Sequence, residues 1–492
     1  MKYTGLKLIP MPKEVIGESE AGFSRVVLPA SVKSECDKIL RLVCGFSALA
    51  TKIHGVTLSE GEGGIELLYD AALSAGEYRL DITEAGARAY FSSPEGAGYA
   101  LSTLLQLIRR DGEGISLPAV EITDKPDSDF RAVMVDLARQ WHEFDSLLFY
   151  VDLCFLFKIK YLHLHFMDTQ SYTLPSKKFP LLPTENRHYS FEEIEYLNRY
   201  AEERGIELIP EIELPGHSQS MVNAYPELFK NTPDADDVVD TYSLFNNTEK
   251  DNIICVGKEG VMDSLSTLLS EVIELFPNSE YLHIGGDEAT IADWSVCRDC
   301  KRYMKEHGID GVKALYSHFV KEITDEVLRL GKTPIVWEGF PLEGADKISR
   351  DVVVVAWESF YLLPNEILDL GFKVINASWQ PLYIIPECRA HRPDGDLIWD
   401  SKEILAWNLY NWQNWNKKTA AYLNPINVQP TSRVIGGELC VWECSFDEEV
   451  TRVKENLAAL SERTWNIRRY ATDAQFKEKL SEILPLADKL EP

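Results

Sequence analysis

The chain has 492 residues, of which 45% are hydrophobic and 26% charged, with a formal net charge of −28. This is ordinary globular composition with length enough for more than one core, which argues against disorder, and its negative charge argues against nucleic acid or an anionic membrane as partner. Nine cysteines, an odd number scattered without a framework rhythm, fit a reducing compartment.

The N-terminus, MKYTGLKLIPMPKEV, has no apolar core of signal-peptide length and meets prolines early, so the expected location is cytoplasmic. Residues 1–125 mix short β-like runs with one helix-patterned stretch, GAGYALSTLLQLIRR, and close on the charged, proline-bearing EITDKPDSDF. This predicts a small α+β domain followed by a boundary, with a second domain over 126–492. The apolar stretch LLFYVDLCFLFKIKYLHLHF, residues 147–166, has membrane-like hydropathy, but Asp152, Lys158 and Lys160 interrupt it and no span is expected.

From residue 131 the rhythm becomes strand then helix. Apolar runs occur at RAVMVDLAR, IKYLHLHF, IELIPEIEL, YLHIGG, TPIVWEGF, DVVVVAWESF, FKVINASW and VIGGELCVWE, with helical patterns such as SFEEIEYLNRYAEERG and VKALYSHFVKEITDEVLRLGK between them. Eight strands with intervening helices predict a (β/α)₈ barrel with long insertions and helices at its C-terminal end. A doubly wound open sheet rarely needs eight strands, and the glycine-rich dinucleotide fingerprint is missing. Residues 380–433, rich in Trp, Asn and Pro, read as a long loop between the last two strands. Cys297 and Cys300 form a CxxC, but no second ligand pair is evident nearby, so they read as ordinary thiols at a helix start and no metal or cofactor is expected.

In such a barrel the chemistry sits at the C-terminal ends of the strands. Those ends carry Asp136 and Arg139, then His163, His165 and Asp168, then Glu211, Glu213 and His217, then Asp287 and Glu288. Trp337, Trp357 and Trp442 close three further strands, each followed by an acid: Glu338, Glu358 and Glu443. Aromatic walls ringed by carboxylates and Arg suit a sugar, whose C–H faces stack while its hydroxyls take hydrogen bonds. Trp294 and Trp465 are assigned to the core.

Asp287 and Glu288 lie side by side after two glycines that free the backbone to turn both carboxylates toward one space. Most glycosidases place two acids about 5–10 Å apart on opposite sides of the scissile bond, which neighbours cannot easily do. A mechanism that needs the acids together uses the substrate's own 2-acetamido oxygen as nucleophile. One acid then protonates the leaving oxygen while the other holds the acetamido N–H.

The motif HIGGDE resembles the His-x-Gly-Gly-Asp-Glu signature of the glycoside hydrolase family 20 β-N-acetylhexosaminidases, and HLHFMD, ELPGHS, IVWEGF and GGELCVWE recur in that family's order. The resemblance covers nearly the whole chain. It implies a hexosaminidase-type N-terminal domain before the barrel, and exo-acting, retaining, substrate-assisted removal of terminal β-linked GlcNAc, with GalNAc as a further candidate. It further implies Glu288 as general acid/base, Asp287 as the acetamido-orienting residue and Tyr383, in ASWQPLYI, as hydrogen-bond donor to the acetamido oxygen. By the same resemblance Arg139 grips sugar hydroxyls, Asp168 and His217 stand behind the acid/base, and Trp337, Trp357 and Trp442 form the walls. Two positions depart from the pattern. Ile385 stands where an acid is often found, and the terminal Trp-x-Glu becomes Trp442-Glu443, which makes Glu443 the candidate for outer-hydroxyl binding and leaves the choice between GlcNAc and GalNAc open.

Two other readings compete. His163-x-His165 puts two imidazoles on one side of a strand, as in metal-dependent hydrolases, but on the second strand rather than the first. A sugar-binding protein without chemistry would usually have lost one of the acids, and both are present.

Overall fold

The protein was analysed as a computed structural model, which describes residues 5–19, 22–34, 36–233, 252–390, 397–468 and 471–492. The N-terminal part is built on a seven-stranded sheet in the spatial order Glu14–Ile16, Val120–Asp124, Tyr78–Thr83, Gly86–Phe91, Ile65–Tyr69, Ser31–Ser34, Ser59–Glu60. Its helix Pro94–Leu107 starts where Ser93 accepts the N–H of Gly96 and Pro94 occupies the first turn, and every residue from Gly96 to Leu107 is buried. The burial has a reason: one side packs on the sheet and the other on a barrel helix, Phe144–Leu156. Ser102 and Gln106 donate across that junction to the Leu156 carbonyl, at 3.1 and 2.7 Å. A second helix, Leu40–His54, was not anticipated from the sequence.

The barrel strands are β1 (Phe130–Asp136), β2 (Tyr161–His165), β3 (Glu207–Glu211), β4 (Tyr281–His283), β5 (Thr333–Trp337), β6 (Val353–Ala356), β7 (Lys373–Asn376) and β8 (Val434–Val441). Seven fall inside the predicted runs, and β1 starts one residue before its run, at Phe130. All neighbours are parallel, and β8 pairs back onto β1 with Val133 opposite Leu439, closing the ring. The strands are buried on both faces, against the helices outside and one another inside, which is why they read as short continuous apolar runs rather than alternating ones.

The membrane-like stretch divides into the helix Phe144–Leu156 and β2. Its Asp152 is buried and paired with Arg204, with Tyr200 donating at 2.9 Å. No helix among the described residues is long and apolar enough to cross a membrane.

The reading of 380–433 as a plain loop is corrected. Residues Tyr383–Ile384 form a short strand beside the upper half of β8, and Asn411–Trp412 pairs with Ile426–Asn427. The Trp and Asn side chains that suggested a loop fasten this excursion to the barrel rim. Trp412 donates to the Ala356 carbonyl at 2.9 Å, Asn414 to that of Glu358 at 3.0 Å, and Asn376 on β7 donates back to Leu409 at 2.9 Å. Helices Phe446–Trp465 and Asp473–Asp488 complete the chain, and Trp294 and Trp465 are both fully buried.

Candidate active site

After β4 the backbone turns through Gly285 at φ +67° and Gly286 at φ +101°, and Glu288 itself takes φ +43°. A Cβ on Gly285 would stand 1.8 Å from a carboxylate oxygen of Glu213, so only glycine allows this turn. The turn brings both acids to one imidazole: Glu288 Oε2 lies 3.4 Å, and Asp287 Oδ2 3.8 Å, from His217 Nε2. Asp287 Oδ1 accepts no hydrogen bond from the described residues. His217 and Glu443 also hold left-handed backbone, at φ +47° and +60°. Such conformations are unfavourable for side-chain-bearing residues, and here they gather around one cavity.

Behind the pair runs a chain of charges. Arg139 Nη2 meets Asp168 Oδ2 at 2.7 Å, Asp168 Oδ1 faces His217 Nδ1 at 3.3 Å, and Arg139 also reaches Asp136 at 3.2 Å. Burial opposes charging of the His217 ring, but Asp168, Glu288 and Asp287 outweigh it and hold the imidazolium. The Asp168 carboxyl, despite burial, is held well below the usual carboxylate range by Arg139 and His217. Asp287 is pushed up to about 6 by burial, with His217 opposing and the Glu288 charge adding to the rise.

The cavity has a volume of about 420 Å³ and is lined by Arg139, Asp287, Glu288, Trp337, Trp357, Tyr383, Trp442 and Glu443 among the residues singled out from sequence. Asp168 and His217 stand one layer behind. Trp337 forms the floor, its Nε1 donating to Glu211 at 2.5 Å. Tyr383 stacks on Trp379 at 4.6 Å and lies parallel to Trp357 at 6.1 Å. Arg139 sits 5.0 Å over the Trp442 ring. The Glu443 carboxylate pairs with Arg389 and lies 3.9 Å from Arg139 Nε. A second cavity of similar volume opens at the other end of the barrel, near Lys158, Glu207 and Ser279. Those positions precede or open strands, at the end where barrels keep stability rather than chemistry.

Several wall residues escaped the sequence reading. Trp379, Trp415, Asn416, Arg389 and Leu397 all come from the excursion after β7. Glu358 also lines the cavity, and burial, with Glu288 and Glu338 nearby, raises it to about 9. Glu338, by contrast, is a loop anchor: its carboxylate accepts the backbone N–H groups of Glu358, Ser359, Phe360, Tyr361 and Leu362. The CxxC stands at a helix start as read, and the fold brings Cys255 beside Cys297 and Cys300.

The sequence matches the family model "Glycosyl hydrolase family 20, catalytic domain" over residues 129–468 and "Glycosyl hydrolase family 20, domain 2" over residues 5–125. The chain belongs to glycosyl hydrolase family 20. Among its relatives in this family, a beta-hexosaminidase of Vibrio furnissii is 32% identical over 346 residues, 66% of this chain and 55% of that protein. One of Akkermansia muciniphila is 32% identical over 352 residues, 67% of this chain and 69% of that protein. The chain therefore spans just over half the length of the Vibrio furnissii relative. In fold it resembles the family 20 exo beta-N-acetylglucosaminidase of Vibrio harveyi, solved with N-acetylglucosamine, with TM-score 0.81 and 24% identity over 98% of this chain and 77% of that one. It likewise resembles the beta-N-acetylhexosaminidase of Bacteroides fragilis, with TM-score 0.77 and 22% identity over 99% and 96%.

Beneath the site of this family 20 barrel lies a buried ionic layer with a consequence for stability. His163 Nδ1 meets Glu438 at 3.0 Å and His165 Nδ1 meets Glu211 at 2.5 Å. Burial opposes protonation of both rings, but Glu438 and Glu211 hold His163 at about 10, and Glu211 with Asp168 holds His165 at about 9. Both values lie above the unfolded value of about 6.5, so their stabilisation is complete below that pH and is lost as pH rises through 9 to 10. Glu358, raised from 4.5 to about 9, acts in the same direction. The thermal midpoint is expected to fall between pH 7 and 10, and Glu438→Gln to flatten the fall. A midpoint constant over that range would refute the charged-histidine layer.

Proposed function

We propose that this chain is an exo-acting β-N-acetylhexosaminidase that releases terminal β-linked GlcNAc with retention, the substrate's acetamido group serving as nucleophile. The observation that carries this reading is the adjacent pair: Asp287 and Glu288 reach the same His217 nitrogen, so both serve one side of a substrate. Glu288 gives its proton to the glycosidic oxygen while the acetamido carbonyl oxygen attacks the anomeric carbon from the opposite face, and an oxazolinium ion forms. Asp287 takes the acetamido N–H and opposes the developing positive charge, and the Tyr383 hydroxyl donates to the acetamido oxygen. Water then opens the ring as Glu288 recovers its proton. His217 and Asp168 keep Glu288 oriented, Arg139 binds hydroxyls, and the tryptophans stack on the pyranose.

The test is a rate panel on aryl β-GlcNAc, β-GalNAc and β-glucoside. The glucoside, lacking the acetamido group, is expected to react at least about 10⁴-fold more slowly than the GlcNAc substrate, and a thiazoline mimic of the oxazoline to inhibit strongly. Comparable turnover of the glucoside would overturn the reading. Because Ile385 lines the pocket where an acid could have bound outer hydroxyls, GlcNAc and GalNAc are expected to differ by only about 1–3 kcal/mol in transition-state binding. Discrimination beyond about a thousandfold would assign the 4-hydroxyl contact to another group, with Glu443 first in line.

A further inference from the structure

Away from the pocket, three buried thiols converge from two distant segments. Cys297 and Cys300 open the helix Arg298–His307, and Cys255 arrives on the stretch that follows β3. Cys255 Sγ lies 3.5 Å from Cys297 Sγ and 3.6 Å from Cys300 Sγ, and all three sulfurs fall within 4.8 Å of one another. Tetrahedral zinc holds thiolates at about 2.3 Å, which sets sulfur–sulfur edges of about 3.8 Å. The triangle is near that size, and a single disulfide would use only two of its corners.

The surrounding backbone is arranged for charged sulfur. The N–H of Thr232 points at Cys297 Sγ at 3.4 Å. Donors aimed at sulfur favour thiolate over thiol. Two chain turns meet closely to achieve this: a Cβ on Gly257 would stand 2.4 Å from the Asp299 carbonyl oxygen and 2.6 Å from Cys300 N. Asn231 Oδ1 lies 3.9 Å from Cys300 Sγ, and its amide nitrogen donates to the Ile253 carbonyl, which keeps the oxygen turned toward the sulfurs.

We propose that Cys255, Cys297 and Cys300 bind one zinc ion, with an oxygen donor, water or Asn231, in the fourth position. Binding releases the three thiol protons to solvent and leaves the sulfurs as thiolates, with no redox change. The ion is structural and lies outside the catalytic pocket. Its segment is stitched to both catalytic loops: Ile254 N donates to Pro215, Trp294 Nε1 donates to the Ile254 carbonyl, and Ser218 N donates to the Asn252 carbonyl. The metal thus fastens the turn that carries His217 to the helix that follows Asp287 and Glu288.

The test is the metal content of the full chain purified without chelators, which does not depend on glycosidase activity. About one equivalent of zinc per chain is expected, falling at least about tenfold in Cys255→Ser and in Cys300→Ser. Reloading the stripped wild type with Co²⁺ should give thiolate-to-cobalt charge-transfer absorption, so the wild type alone decides if a variant does not fold. Less than about a tenth of an equivalent that added Zn²⁺ does not raise would overturn the proposal. So would zinc retained in both variants, or an intact mass short of two hydrogens that maps to a disulfide at Cys255.

Discussion

Asp287→Asn is expected to lower kcat/KM by about 10²–10³-fold on every aryl leaving group, because it removes both the acetamido anchor and the charge that opposes the oxazolinium ion. Glu288→Gln is expected to behave differently. It removes proton donation, so the loss should reach about 10²–10⁴-fold for poorly acidic leaving groups and shrink toward wild type for those that need little protonation. A steep leaving-group dependence for Glu288→Gln beside a flat one for Asp287→Asn identifies the roles. Exchanged patterns would reverse the assignment. Stability supplies a control that a merely structural role would not reproduce. Burial, with the neighbouring Glu288 charge, raises Asp287 from 3.8 to about 6, so at neutral pH its ionised form burdens the fold. The neutral Asn lifts that burden, and Asp287→Asn should unfold no earlier than wild type while losing most of its activity.

Arg139→Ala is expected to remove about 3–5 kcal/mol of stability together with substrate affinity. Asp136 and Asp168 are each 1% exposed and lie 3.2 and 2.7 Å from its guanidinium, so the substitution strands buried charge. Arg139→Lys should recover little of either loss, since a single ammonium cannot reproduce the planar fork that spans both acids. The acid limb of stability should move as well. With its folded value held well below its ordinary one, Asp168 stabilises fully above that ordinary value and ceases to do so as pH falls through the folded value. Without Arg139 the folded value rises, and acid unfolding should begin at higher pH. Urea midpoints at pH 7 and acid titrations of the two variants measure both effects. An unmoved acid midpoint would show that His217 and His165 hold Asp168 without Arg139.

The barrel was legible because its strands are short apolar runs bounded by turn residues, and because polar groups stack at the same end of each run, as at Asp136, His165, Glu211 and Asp287. The paired acids were legible for the same reason, with the glycines before them marking the turn. Glu338 and Glu358 were not separable by pattern. Both follow a strand-end Trp, yet one clamps five backbone N–H groups and the other faces the pocket, a difference set by which loop folds over which. The excursion after β7 hid Trp379 and Trp415 because they meet by ring contact within an irregular segment fastened to the rim by Trp412 and Asn414, which leaves no periodic trace. Cys255 was invisible as a neighbour of the CxxC because the barrel, not the local chain, closes the 42-residue gap.

The excursion between β7 and β8 divides the pocket into a fixed half and an interchangeable half. Tyr383 lies within the excursion but sits on a rung beside Cys440 of β8, so the barrel wall carries it. Arg389, Leu397, Trp415 and Asn416 belong to that excursion and can be exchanged as a panel, by grafting or by drift in length, while the tyrosine and the paired acids stay where they are. Such a layout lets a lineage retune which sugars and aglycones it accepts without reopening the problem of how the bond is broken.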